Sequence, residues 1–120
     1  MSNVNTNSDI SVVLDKIVEC ILGSEFPILR IILFGSHAKG TATQDSDIDL
    51  MVVIDNDVIV SSYREKMDRA LSIRKSLREI DYAKDLIVYS RKELNIVKER
   101  GYDFIKEIEQ TGKILYERTN

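Results

Sequence analysis

Two short clusters in this chain hold residue types that can do chemistry together: Gly35-Ser36 and, ten residues further on, Asp47-Ile48-Asp49. A glycine lets the chain turn sharply and lets backbone approach a ligand closely. Ser36 adds a hydroxyl beside the free N–H groups of a helix start, a natural cradle for phosphate. Asp47 and Asp49, two apart on a strand, send both carboxylates from one face, about 6.5–7 Å apart along the backbone. Such a pair can converge on one or two hard cations, and magnesium takes few carboxylates while keeping waters and phosphate oxygens. A phosphate cradle beside a metal platform is what nucleotidyl transfer requires. One ion holds the triphosphate and stabilises the leaving pyrophosphate, and a second lowers the pKa of the attacking hydroxyl. Asp85 is the candidate third carboxylate, placed to hold the acceptor-side ion or to take the acceptor's proton. Lys39 can reach a triphosphate. Asp-x-Asp or Gly-Ser alone is ordinary turn chemistry. Their pairing at the rim of a buried sheet carries the weight, because carboxylates there are costly unless something binds.

The elements that must position these residues follow from the hydrophobic pattern. Residues 1–7 are polar and read as a flexible N-terminus, with one domain over 8–118. Ile10, Val13, Leu14, Ile17, Ile21 and Leu22 share one face of a helix capped by Ser8 and closed by a left-handed Gly23. Residues 28–34 read as a strand buried on both faces. A short helical stretch, His37 to Lys39, ends at Gly40, and 41–46 has loop chemistry. Residues 47–54 read as a second strand, and 55–57 as a turn. Residues 60–79 are expected to form a helix burying Tyr63, Met67, Ala70, Leu71, Arg74 and Leu77. A third strand spans 85–89, and Ser90 caps the next helix. Residues 102–110 form another, with Phe104, Ile105 and Ile108 inward, and 113–116 a last short strand. The tyrosines read as packing residues with a wet hydroxyl, and His37 as a surface residue. The result is an α/β (α+β) domain, a small mixed sheet flanked by helices.

Composition narrows the function. The net charge of −3 supplies no global basic field, so direct nucleic-acid binding is not expected. A single cysteine, Cys20, excludes an internal disulfide and any multi-cysteine metal site. No run approaches the roughly 18 apolar residues of a membrane span, and the N-terminus lacks signal-peptide character, so a cytoplasmic location is expected.

The string Leu33-Phe34-Gly35-Ser36-His37-Ala38-Lys39-Gly40, followed by Ser46-Asp47-Ile48-Asp49-Leu50, resembles the signature of the DNA polymerase β-like nucleotidyltransferases. Within that superfamily it is closest to the minimal nucleotidyltransferases of bacteria and archaea, the MntA-like antitoxins. The resemblance implies the polymerase β-like fold, a triphosphate (ATP as substrate) at Gly35 and Ser36, and magnesium at Asp47, Asp49 and Asp85. His37 and Lys39 stand where the family often has arginine. Lys39 keeps a charge there but not bidentate phosphate binding. Larger relatives carry a second, acceptor-binding domain, so here the cleft is expected to be open on the acceptor side. Minimal members are typically encoded beside a HEPN-domain ribonuclease toxin, and the resemblance implies transfer of AMP to a tyrosine of that partner. The alternatives are an enzyme for a small acceptor such as an aminoglycoside, and a non-catalytic antitoxin acting by binding alone. A homodimer or a hetero-oligomer fits the first two readings.

Overall fold

The computed structural model describes residues 6–119, with side chains from Ile10 onward. Helix α1 (Thr6–Leu22) leads into β1 (Ile28–Phe34), the short α2 (Ser36–Lys39) and β2 (Ile48–Ile54). Then follow α3 (Tyr63–Ser76), β3 (Lys84–Ser90), α4 (Arg91–Glu99), α5 (Asp103–Thr111) and β4 (Lys113–Glu117). The four strands form one sheet in the order β3-β2-β1-β4. β1 runs antiparallel to both β2 and β4, while β2 and β3 are parallel. The sheet is therefore mixed, as the pattern implied, and the parallel step is the one that needs the α3 crossover.

Strand alternation divides the core in two. Ile31, Leu33, Ile48, Leu50 and Val52 face α1 and α3, whereas Ile32, Met51 and Val53 face α4 and α5. The continuous apolar runs of β1 and β2 are thus explained by helices on both faces. Ser90 closes a full capping box with Glu93, which fixes where β3 ends and α4 begins. No helix among the described residues is long and apolar enough to cross a membrane.

Four local expectations need correction. α1 begins at Thr6, so Ser8 lies within it and is not its cap; residues 1–5 of the expected flexible segment lie outside the described residues. Gly23 does not adopt a positive φ, because its N–H still donates to Glu19 and Cys20 carbonyls and prolongs the helical turn. The inward face of α3 is Ile73 followed by Leu77, both fully buried, while Tyr63, Met67 and Leu71 are exposed and Arg74 lies at the surface. Ala70 and Leu77 of the expected stripe do turn inward, but its centre was placed about a quarter turn off, towards the exposed apolar side of the helix. In α5, Ile105 and Ile108 are buried but Phe104 is half exposed, packed edge-on to Phe34 at 5.7 Å between ring centres.

Candidate active site

The site forms where β1 ends, β2 begins and β3 begins, at one end of the sheet. Phe34 pairs with Asp49 across β1 and β2, and Asp49 pairs with Asp85 across β2 and β3. Asp49 and Asp85 have the same parity as Met51 and Ile87, so both carboxylates leave the face that α4 and α5 cover further along. Parallel pairing of neighbours puts these two aspartates side by side.

The turn after β1 is shaped around Asp49. Gly35 has φ 73° and ψ −154°, a conformation open essentially to glycine alone. A Cβ built on Gly35 would stand 2.1 Å from Asp49 Oδ2, so the carboxylate rests against bare backbone. The Ala38 and Lys39 N–H groups donate back to the Gly35 carbonyl, and Gly40 ends α2 in the left-handed region.

Asp47 departs from its expected place. It is exposed and lies one residue before β2, whose first ladder bond runs from Ile48 N–H to the Ala83 carbonyl. β1 has already ended opposite Asp49 and β3 opens opposite Ile48, so no neighbouring strand remains to pair Asp47. The preceding loop is held by Thr43 N–H donating to Ser46 Oγ at 2.8 Å and Ser46 N–H to the Thr43 carbonyl at 3.1 Å. His37 Nε2 lies 3.3 Å from the Ser46 carbonyl, with its ring edge-on to Tyr82.

The electrostatics single out Asp49. Burial pushes its carboxyl above the usual carboxylate range; the negative charges of Asp85 and Asp47 push it further, against an opposing pull from His37. A hydrogen bond shared with Asp85 acts in the same upward direction. Carboxylates that disfavour one another's ionisation are relieved by a cation or a proton. Among the described residues no three ligating side chains are already gathered at ion-binding distance. The pair Asp49–Asp85 is assembled, and Asp47 stands beside it on an exposed loop end. The all-oxygen donor set and the bare Gly35 backbone fit a hard cation next to a phosphate.

With this geometry in place, comparison with known proteins is decisive. The family profile "Polymerase beta, Nucleotidyltransferase" matches residues 15–120. The chain belongs to the polymerase beta nucleotidyltransferase family. It is a nucleotidyltransferase, and the row Phe34–Asp49–Asp85 lies in a nucleotidyltransferase fold. A protein of Methanocaldococcus jannaschii named "Putative protein adenylyltransferase MJ0604" is 32% identical over 90 residues, covering 74% of this chain and 79% of that protein. Among solved structures, a chain of a crystal structure described as a toxin-antitoxin with AMP-PNP aligns with TM-score 0.61 and 22% identity, over 88% of this chain and 74% of its own. A crystal structure described as "a putative nucleotidyltransferase from Sulfolobus solfataricus" aligns with TM-score 0.63 and 23% identity, over 98% of this chain and 93% of its own. At these identities the structural likeness is one of fold.

Other charged residues of the nucleotidyltransferase have partners that the sequence did not name. Lys39 pairs with Glu107 of α5 at 3.1 Å on an exposed surface. Lys84 Nζ donates to the Ile80 and Tyr82 carbonyls, which leaves Asp85 facing Asp49. Asp55 accepts from Arg91 and Arg118, so the turn after β2 is an ion-pair node as well as a turn. The sequence reading missed a buried pair: Arg69 Nη1 and Glu93 Oε1 lie 2.8 Å apart with both side chains about 10% exposed. Burial alone would raise the Glu93 carboxyl, but hydrogen bonds from the Ser90 and Val60 N–H groups and from Arg69, with the Arg69 charge, hold it below the usual range. The Ser90–Glu93 spacing is a capping-box signal that could have placed Glu93 at the start of α4, but nothing local points to Arg69.

Proposed function

We propose that residues 8–118 act as a single catalytic domain of a magnesium-dependent protein adenylyltransferase, transferring AMP from ATP to a tyrosine of a partner HEPN ribonuclease toxin. In this reading the chain is the antitoxin of the pair and works in the cytoplasm. The observation that carries it is the contact between Asp49 and bare Gly35, with Asp85 alongside. It supports the reading because a phosphate on the Gly35-Ser36 turn would lie within reach of these carboxylates. The family, a relative named as a protein adenylyltransferase and a fold neighbour described with a toxin-antitoxin and AMP-PNP support the same direction.

Gly35 and Ser36 would receive the triphosphate through backbone N–H groups and the Ser36 hydroxyl, with Lys39 at its edge. Asp47, Asp49 and Asp85 would hold the magnesium ions, which supply charge neutralisation at the α-phosphate and the leaving pyrophosphate. The tyrosine oxygen forms the new bond to the α-phosphorus as the bond to the bridging oxygen of pyrophosphate breaks. Asp85, exposed on the edge strand β3, would stand on the acceptor side and take the phenolic proton.

Calorimetry tests the site: ATP should bind in magnesium and much more weakly in EDTA. Asp85→Ala should abolish transfer yet keep appreciable Mg-ATP binding. Equal ATP affinity with and without magnesium, or wild-type transfer by Asp85→Ala, would remove these residues from the role assigned to them.

A further inference from the structure

Helix α3 has an apolar stripe that nothing in the described chain covers. Tyr63, Met67 and Leu71, each four residues apart, are 77%, 41% and 52% exposed, and Val58 and Ile59 before the helix are exposed too. The stripe borders β3, one of the two edge strands. A cavity of about 590 Å³ lies there between α3 and α4, with Ile59, Met67, Leu86, Val88 and Ile96 in its walls. Along the same helix a second, of about 530 Å³, runs from Leu71 to Lys84, the residue before Asp85. End to end they border a groove along α3 and the free edge of β3 as far as Lys84; the Asp85 carboxylate leaves the other face of this edge strand, so an occupant reaches it around the free edge.

The rim of this groove is basic although the protein carries a net charge of −3. Lys66 and Arg100 line the first cavity, and Arg74, Lys75, Arg78 and Lys84 the second. Glu93 is the one acidic side chain lining either, and it is already committed to Arg69. The groove therefore favours an occupant with apolar side chains and negative flanks.

An added strand is not that occupant. Arg69 Nη2 donates to the Val88 carbonyl at 3.0 Å and Arg74 Nη1 to the Lys84 carbonyl at 3.1 Å. These α3 arginines occupy acceptors on the free edge of β3 that a pairing strand would need. What remains is insertion of side chains at helical spacing, the helix-in-groove mode.

We propose that this groove docks an acid-flanked amphipathic helix of the acceptor protein and brings its hydroxyl to Asp85. The proposal rests on the reading of the chain as a protein adenylyltransferase. It supplies what the site by itself does not, since holding an acceptor in place converts an intermolecular transfer into an effectively intramolecular one.

The test uses the HEPN-domain partner co-expressed with the full chain, in wild type and in Leu71→Glu and Arg100→Glu variants. Arg100 is an exposed side chain, so its reversal leaves the fold intact and guards against misfolding of Leu71→Glu. Both variants should bind Mg-ATP like wild type, yet bind the partner at least tenfold more weakly and adenylylate it at least tenfold more slowly at subsaturating concentration. Wild-type complex formation and labelling by both variants overturns the proposal. So does a wild-type protein that forms no complex with the partner, or a homodimer of the lone chain that Leu71→Glu dissociates. If the wild type binds ATP and partner but transfers no AMP, the transfer reading fails, while loss of the complex in the two variants still assigns the groove.

Discussion

Replacing Gly35 with alanine should disable the enzyme far more than it unfolds it. Two costs add at this position. The backbone conformation, φ 73° and ψ −154°, costs a non-glycine residue about 1–3 kcal/mol. The new Cβ would also stand 2.1 Å from Asp49 Oδ2, where ordinary contact begins at 3.4 Å, so the carboxylate must retreat by roughly 1.3 Å or the turn must open. Misplacing a reacting group by about 1 Å can cost on the order of 100-fold in rate. We expect Tm to fall by about 5–15 °C in differential scanning calorimetry, with the far-ultraviolet spectrum unchanged. AMP transfer to the co-expressed partner, followed with labelled ATP at a temperature where the variant is fully folded, should fall about 100-fold or more. Transfer within threefold of wild type in a folded Gly35→Ala protein would refute the claim that the carboxylate's seat on bare backbone matters.

Other consequences follow from the charges. The Asp49 carboxyl is raised, so the folded state favours its protonated form, and that contribution to stability is lost as pH rises through the folded value. Asp49→Asn should therefore match or exceed wild-type stability at pH 7 while abolishing transfer; a clear loss of Tm would contradict this. Glu93 is held low, so its contribution is present above the unfolded glutamate value and lost as pH falls through the folded one. Glu93→Gln should cost about 3–5 kcal/mol at pH 7 by stranding Arg69, and should flatten the acid limb of stability against pH in urea titrations. The Lys39–Glu107 pair is exposed, so Lys39→Ala should change stability by less than about 0.5 kcal/mol. If Lys39 serves the triphosphate, calorimetry should show Mg-ATP affinity falling in Lys39→Ala and rising in Glu107→Ala.

Much of this arrangement was legible in the residues because each feature had a local cause. The apolar run 28–34 had to be a strand covered twice, and Gly35, Ser36 and Asp49 announced a turn and a rim charge beside it. The adjacency of Asp49 and Asp85 was harder to read. It depends on parallel register between β2 and β3, which the α3 crossover sets and no short motif encodes. Asp47 was placed on the strand because two-residue spacing implied it, but strand ends are decided by where neighbouring strands stop. The exposed side of α3 was misread because an apolar stripe looks alike whether it packs inside the chain or against something else. The Arg69–Glu93 pair was invisible because its partners meet only through the tertiary fold.

Mass spectrometry of the co-expressed HEPN-domain partner tests the central claim most directly. With wild-type chain and ATP in magnesium, we expect a single tyrosine of the partner to gain the mass of AMP, and we expect the modification to vanish when Asp47 and Asp49 are both replaced by alanine. An unmodified partner whose toxicity is neutralised equally by wild type and the double variant would contradict it, and would leave binding alone as the means of neutralisation.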